Sequence, residues 1–257
     1  MVGAPLSWQT ALMSAIRGAR ERARIEVTAA IKDEARKQLA ADGAAKLSLR
    51  AVARALGMVS SALYRYFPSR DDLLTALIVD AYDAVGATAE AARATPGGST
   101  GPYPARWTAV AGAVRDWALA HPHEYALIYG SPVPGYTAPQ DTIGPASRVG
   151  IVLIGLVREA YLSEGLAVAP LAPELRPEAE RMAAGLAPDL PPAVAAALVA
   201  AWAQLFGLIS FEIFGQFTRL VEERDLFFRR ASHELARSVG LLDGRAADAG
   251  GARGGPS

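Results

Sequence analysis

The stretch "ALGMVSSALYRYFPSRDDLL", Ala55 to Leu74, decides how this chain is read. A glycine turn and two serines open it, two tyrosines flank an arginine in its middle, and a proline separates it from a new apolar run. Upstream, Val27, Ile31, Ala35 and Leu39 repeat at helical spacing in a helix expected near 22–41 and closed by Gly43. A short helix follows from Leu49 to Leu56, with Ser48 as its N-cap and Leu49, Val52 and Leu56 on one side. Gly57 then supplies the tight turn. In the next short helix Leu63 and Phe67, four apart, point inward and leave Ser60, Ser61, Tyr64 and Arg65 toward solvent. Two helices joined this way make a helix-turn-helix, whose second helix enters the major groove while hydroxyls and cations at its edges hold phosphates. Ser69 and Asp72 form a capping box for the following helix, placing Arg70 in its first turn.

Charge supports the same reading. The chain of 257 residues carries 26 basic and 26 acidic side chains, yet residues 1–70 hold twelve Lys/Arg against five Asp/Glu, a net +7, and the remainder is −7. One end is therefore suited to a polyanion and the other is not. There is no cysteine, so no disulfide framework and no thiolate metal site, and no secretory leader pattern opens the sequence; a cytoplasmic protein is expected.

The motif "LSLRAVARALGMVSSALYRYFPSRDDLL" resembles the DNA-binding signature of the TetR family of bacterial transcriptional repressors over roughly residues 22–75. That resemblance implies an all-α homodimer: a three-helix DNA-binding head, a larger helical ligand-binding and dimerisation domain, and an inverted-repeat operator in double-stranded DNA released when a small-molecule effector binds. By position in the motif, Arg50 near the start of the second helix contacts DNA, with Ser48 beside it. Met58, Val59, Ser60, Ser61 and Ala62 face the groove; Tyr64, Tyr66 and Arg70 hold phosphates, and Lys46 is a further backbone candidate. Where the family often has a capping serine two residues after the turn glycine, this chain has Val59, and Ser60 is expected to cap instead. The arm "RGARERAR" (17–24) suits either a minor-groove arm or a solvated helix start. The boundaries expected are an arm over 1–21, the head over 22–69, the helical domain over 70–242 and a disordered tail over 243–257.

Beyond residue 95 the likeness is to architecture, with "HPHEYALIYGSPVPGYTAP" reminiscent of the effector domain of a TetR subgroup common in actinobacteria. Helices are expected near 70–93, 105–120, 123–129, 145–166, 192–220 and 225–239, separated by Pro/Gly clusters. Val194 to Phe217 is apolar nearly all round, long enough for a membrane span. It is alanine-rich, contains Glu212 and lacks basic flanks, so a dimer helix is the better reading and no membrane partner is expected. Glu212 suits either an interface or a pocket, and Arg158 with Glu159 reads as a solvated helix end. Trp107, Trp117, Tyr125, Tyr129, Ile151, Ile154, Trp202, Phe206 and Phe211 lie on helices expected to converge around an apolar pocket, with Trp117, Tyr129 and Phe206 as the individual candidates.

An enzyme is not expected: neither G-x-S-x-G nor G-x-x-x-x-G-K occurs, and three histidines leave few acid-base groups. His121 and His123 lack a third metal ligand, so neither metal nor cofactor is expected. The alternative class is an architectural or ligand-independent DNA-binding protein, which would have no use for so large an apolar domain.

Overall fold

The computed structural model describes residues 6–243, with side-chain surroundings from Gly18 onward. All but the first residue of the tail expected to be disordered lies outside them. Every regular element among the described residues is helical: α1 Leu6–Asp42, α2 Leu49–Ala55, α3 Ser60–Leu63, α4 Arg70–Ala94, α5 Pro96–Ser99, α6 Tyr103–Ala120, α7 Pro122–Tyr129, α8 Ile143–Ser163, α9 Arg176–Leu186, α10 Pro192–Ile213 and α11 Arg224–Ser238. Two compact units divide the chain within α4. One runs to Ile78 and includes Ser131–Pro139; the other takes Val79–Gly130 and the chain from Gln140 onward.

The first unit is built around Ile31, Ala35 and Leu39 of α1, Leu49 and Val52 of α2, Leu63 and Phe67 around α3, and Leu73, Leu74 and Leu77 of α4, all buried. The i, i+4 spacing on α1 and α3 turns each apolar stripe to this centre. Ser131–Pro139 joins the unit through Tyr136, whose hydroxyl lies 2.9 Å from that of Thr75 on α4.

The second unit centres on α6 and α8, with Trp107, Val110, Val114, Leu153, Leu156 and Val157 buried against α4, α7, α10 and α11. Its helices are tied by arginine–carboxylate pairs. Arg148 on α8 reaches Asp83 and Glu90 on α4 at 2.7 Å each, and Gly86 makes the close approach possible, since a Cβ there would stand 2.7 Å from that of Arg148. Arg158 and Glu159 keep side-chain exposures of 40% and 42%, but carry pairings the sequence did not indicate: Glu159 accepts from Arg93 and Arg106, and Arg158 pairs with Asp189. Burial works to raise the Glu159 carboxyl, but hydrogen bonds from Arg106 and Arg93 hold it below the usual carboxylate range.

Three elements depart from the sequence reading. Helix α1 begins sixteen residues before the expected start at residue 22. Helix α9, unexpected between two proline clusters, packs along α10 through Ala179 and Ala183, residues too small to give a strong periodic signal. Helix α10 stops at Ile213 rather than near 220, because Gly215 and Arg219 adopt left-handed backbone (φ 82° and 64°) that reverses the chain toward α11.

Candidate nucleic-acid interface

In the head, local bonds set the recognition helix. Ser48 caps α2 by accepting from the Ala51 N–H at 3.4 Å. Gly57 closes α2 with φ 65°: its own N–H donates to the Arg54 carbonyl and the Met58 N–H to the Ala53 carbonyl, the paired bonds of a Schellman motif. Helix α3 then starts at Ser60 with Val59 in the N-cap position and no side-chain cap bond, so Ser60 does not cap as expected but lies inside the first turn. Val59 has no acceptor to offer, and its side chain is 70% exposed. At the entry to α4 the Ser69 hydroxyl donates to the Asp72 carboxylate at 2.7 Å and accepts from the Asp72 N–H at 3.1 Å.

These turns leave Ser60, Ser61, Tyr64 and Arg65 exposed on one short stretch, with Met58, Ala62 and Tyr66 half-buried among them. Arg50 in the first turn of α2 and Lys46 in the short 3-10 turn at Ala44–Lys46 are exposed too. Arg70 has a different setting from the other candidates. Its guanidinium donates to the backbone carbonyls of Ala44 at 2.8 Å and Leu47 at 3.2 Å, bracing the turn that presents Lys46.

The second unit contains a mainly apolar cavity of about 380 Å³ between α6, α8, α9 and α10. Trp107, Ile151, Ile154, Leu198, Val199 and Trp202 line it, and Ser147 supplies its one side-chain hydroxyl. The sequence candidates stand elsewhere. Phe206 packs behind the wall, 4.5 Å from Trp202 and 4.2 Å from Tyr129 between ring centroids, and Trp117 stacks on His121. Helical spacing marks a residue as apolar but does not say whether it faces a void or a neighbour. Trp107 and Trp202 were legible as converging aromatics; only the fold separates them from Phe206.

Glu212 does not line this cavity and is paired within its own unit. Arg115 of α6 holds it in a two-point pair at 2.6 and 2.7 Å, Arg115 being 7% and Glu212 8% exposed, and Arg115 also reaches Asp225 at 2.8 Å. By length and composition α10 could cross a membrane, yet its single acid is neutralised from a neighbouring helix of the same unit.

Residues 31–77 match the profile described as bacterial regulatory proteins of the tetR family, and residues 107–235 match that of the Tetracyclin repressor-like C-terminal domain. The HTH-type transcriptional regulator Rv1816 of Mycobacterium tuberculosis is 42% identical over 211 residues, covering 78% of this chain and 86% of that protein. The chain belongs to the TetR family. It is a helix-turn-helix, DNA-binding transcriptional regulator, not an enzyme. The Mycobacterium bovis regulator Mb1846 matches to the same extent. Among solved structures, the regulatory protein SCO4313 is similar at 35% identity with a TM-score of 0.69, covering 84% of this chain and 97% of that one. A Rhodococcus sp. RHA1 protein, 23% identical with a TM-score of 0.63 over 83% of this chain and 95% of that one, shares the fold. The TetR head matched by the profile contains every exposed candidate named above.

Proposed function

We propose that this protein is a cytoplasmic TetR-type repressor, a homodimer that binds an inverted-repeat operator and is released when a small, uncharged, mostly apolar molecule fills the cavity of its second unit. The cavity carries this reading. A wall of two tryptophans and branched aliphatics with one hydroxyl offers no counter-charge, so an ionised ligand would enter unpaired. Helix α4 passes from the first unit into the second, and Ser131–Pro139, part of the first unit, is joined covalently at both ends to the second. A ligand that favours one arrangement of these connections shifts the operator-binding equilibrium by no more than its differential affinity for the two states. Substituting Gly150, in the middle of α8 with Trp202 at ordinary contact distance, tests the site. Gly150→Leu fills the cavity while improving helix propensity by up to about 1 kcal/mol. The variant is expected to keep its fold and operator affinity, and to lose the thermal stabilisation that hydrophobic ligands give the wild type. Ligand response unchanged in Gly150→Leu would place the effector elsewhere.

The dimer is assigned to the outer face of α10 and α11, where Phe211 is 52% and Phe227 43% exposed beside Leu208. Gly207 has open space where a Cβ would be, room for a second helix to approach. Within the head, the hydroxyl of the exposed Tyr64 is assigned to phosphate and Arg50 and Ser61 to base edges. Tyr64→Phe is expected to weaken binding to all duplexes alike, by roughly 1.5–3 kcal/mol for a lost bond to a charged group. Arg50→Ala or Ser61→Ala should instead change the ranking of sequences, which competition between duplexes measures. Arg70, braced against carbonyls, is expected to affect binding through the Ala44–Lys46 turn.

A further inference from the structure

Helix α1 runs well past the part of it that the head packs. From Gly18 to Ala30 no side chain is buried, and Ile31 is the first that is, among the side chains described. At ~1.5 Å per residue the helix from Arg20 to Ile31 extends about 16 Å. Its sequence is not neutral on all sides. Arg20, Arg24, Val27 and Ile31, spaced by four, three and four residues, form one stripe within a ~60° arc, the stripe that continues into the core of the head. Arg22 lies on the opposite side. The stripe meets the end of the recognition segment: the Arg24 guanidinium sits 5.7 Å from the centroid of the Tyr66 ring, and Arg20, Glu21, Ala23, Arg24, Val27 and Tyr66 line a common groove. Two guanidiniums against the single carboxylate of Glu21 leave this groove cationic, and it is continuous with the DNA-facing surface through Tyr66.

We propose that the α1 extension is a rigid phosphate clamp, in which Arg20 and Arg24 hold DNA backbone phosphates beyond those reached by the recognition segment, with the Tyr66 ring fixing Arg24 in place. The clamp rests on the DNA-binding reading above and deepens it. Because the extension is helical, it works as a strut rather than as a flexible minor-groove arm, and its reach adds no more than roughly five base pairs to each half-site at ~3.4 Å per pair. Contacts of this kind add affinity and salt dependence without sequence preference.

The test uses the full-length protein and a random-sequence 40-base-pair duplex, with binding followed across a salt series. Each lost phosphate contact lowers the slope of log K against log salt by about 0.9, so Arg20→Ala/Arg24→Ala should flatten it by about 1.8 per bound head. The charge-keeping pair Arg20→Lys/Arg24→Lys should restore most of that slope, and Arg22→Ala should leave it unchanged. Helical circular dichroism of each variant controls for loss of the extension. A double alanine variant that keeps its helicity and overlays the wild-type slope overturns the clamp while leaving the DNA-binding reading intact. An equal effect of Arg22→Ala also overturns it, since the face would then be irrelevant. Absence of any salt-dependent binding by the wild type would instead count against the DNA-binding reading itself.

Discussion

Arg115→Ala is expected to lower the stability of the second unit by about 3–5 kcal/mol, the largest effect of any single substitution considered. The reason is asymmetry: the alanine leaves the Glu212 carboxylate buried without its two-point partner, and breaking one side of such a pair is costlier than removing both. Arg115 also lies over the Phe228 ring at 5.1 Å, so the guanidinium stem and face contribute packing between α6 and α11. The double replacement Arg115→Met/Glu212→Leu should recover most of the loss, and urea unfolding of the two variants measures the difference. Equal destabilisation by the single and double variants would mean that packing volume, and not charge pairing, holds this point together.

The second large effect is expected at Phe211. Its ring is about half exposed on the outer face of α10, so Phe211→Asp should change the stability of an isolated subunit by no more than ~0.5 kcal/mol. In a dimer the same change buries an aspartate against an apolar partner helix and separates the subunits. Each head then binds its half-site alone, and the gain from tethering two heads is lost, about 10²- to 10⁴-fold in operator affinity. Sedimentation velocity reads the assembly state and a binding titration the affinity. A monomeric Phe211→Asp that binds the operator as tightly as wild type would remove the link between dimerisation and recognition.

Much of the head was legible because its determinants are local. Gly57, Ser48, Ser69 with Asp72, and the four-residue spacing of Leu63 and Phe67 act within a few positions of one another, and each forms the bonds or packing its pattern implies. Val59 was the exception: the expected shift of the cap to Ser60 assumed that the helix would wait for a capping oxygen, whereas α3 begins without one. Arg70 shows a different limit, since carbonyls 23 and 26 residues away compete for the same guanidinium.

The second unit was legible as helices but not as a site. Arg115 and Glu212 are 97 positions apart, each a charge within an apolar helix, and nothing nearby in sequence indicates that they meet. The same holds for Glu159, whose partners come from α4 and α6. The cavity is fixed by packing at Gly150 and Gly185 together with the small-residue face of α9, a helix the periodicity did not reveal.

Selection of bound sequences from a random duplex library by the full-length protein, repeated with and without a ligand that raises its melting temperature, tests the central claim most directly. The account predicts enrichment of one inverted repeat whose half-sites present major grooves on one face of the duplex, about one helical turn (~34–36 Å) or a multiple of it apart, and loss of that enrichment when the ligand is present. Enrichment of an asymmetric site, or of a repeat retained equally with the ligand bound, would contradict it.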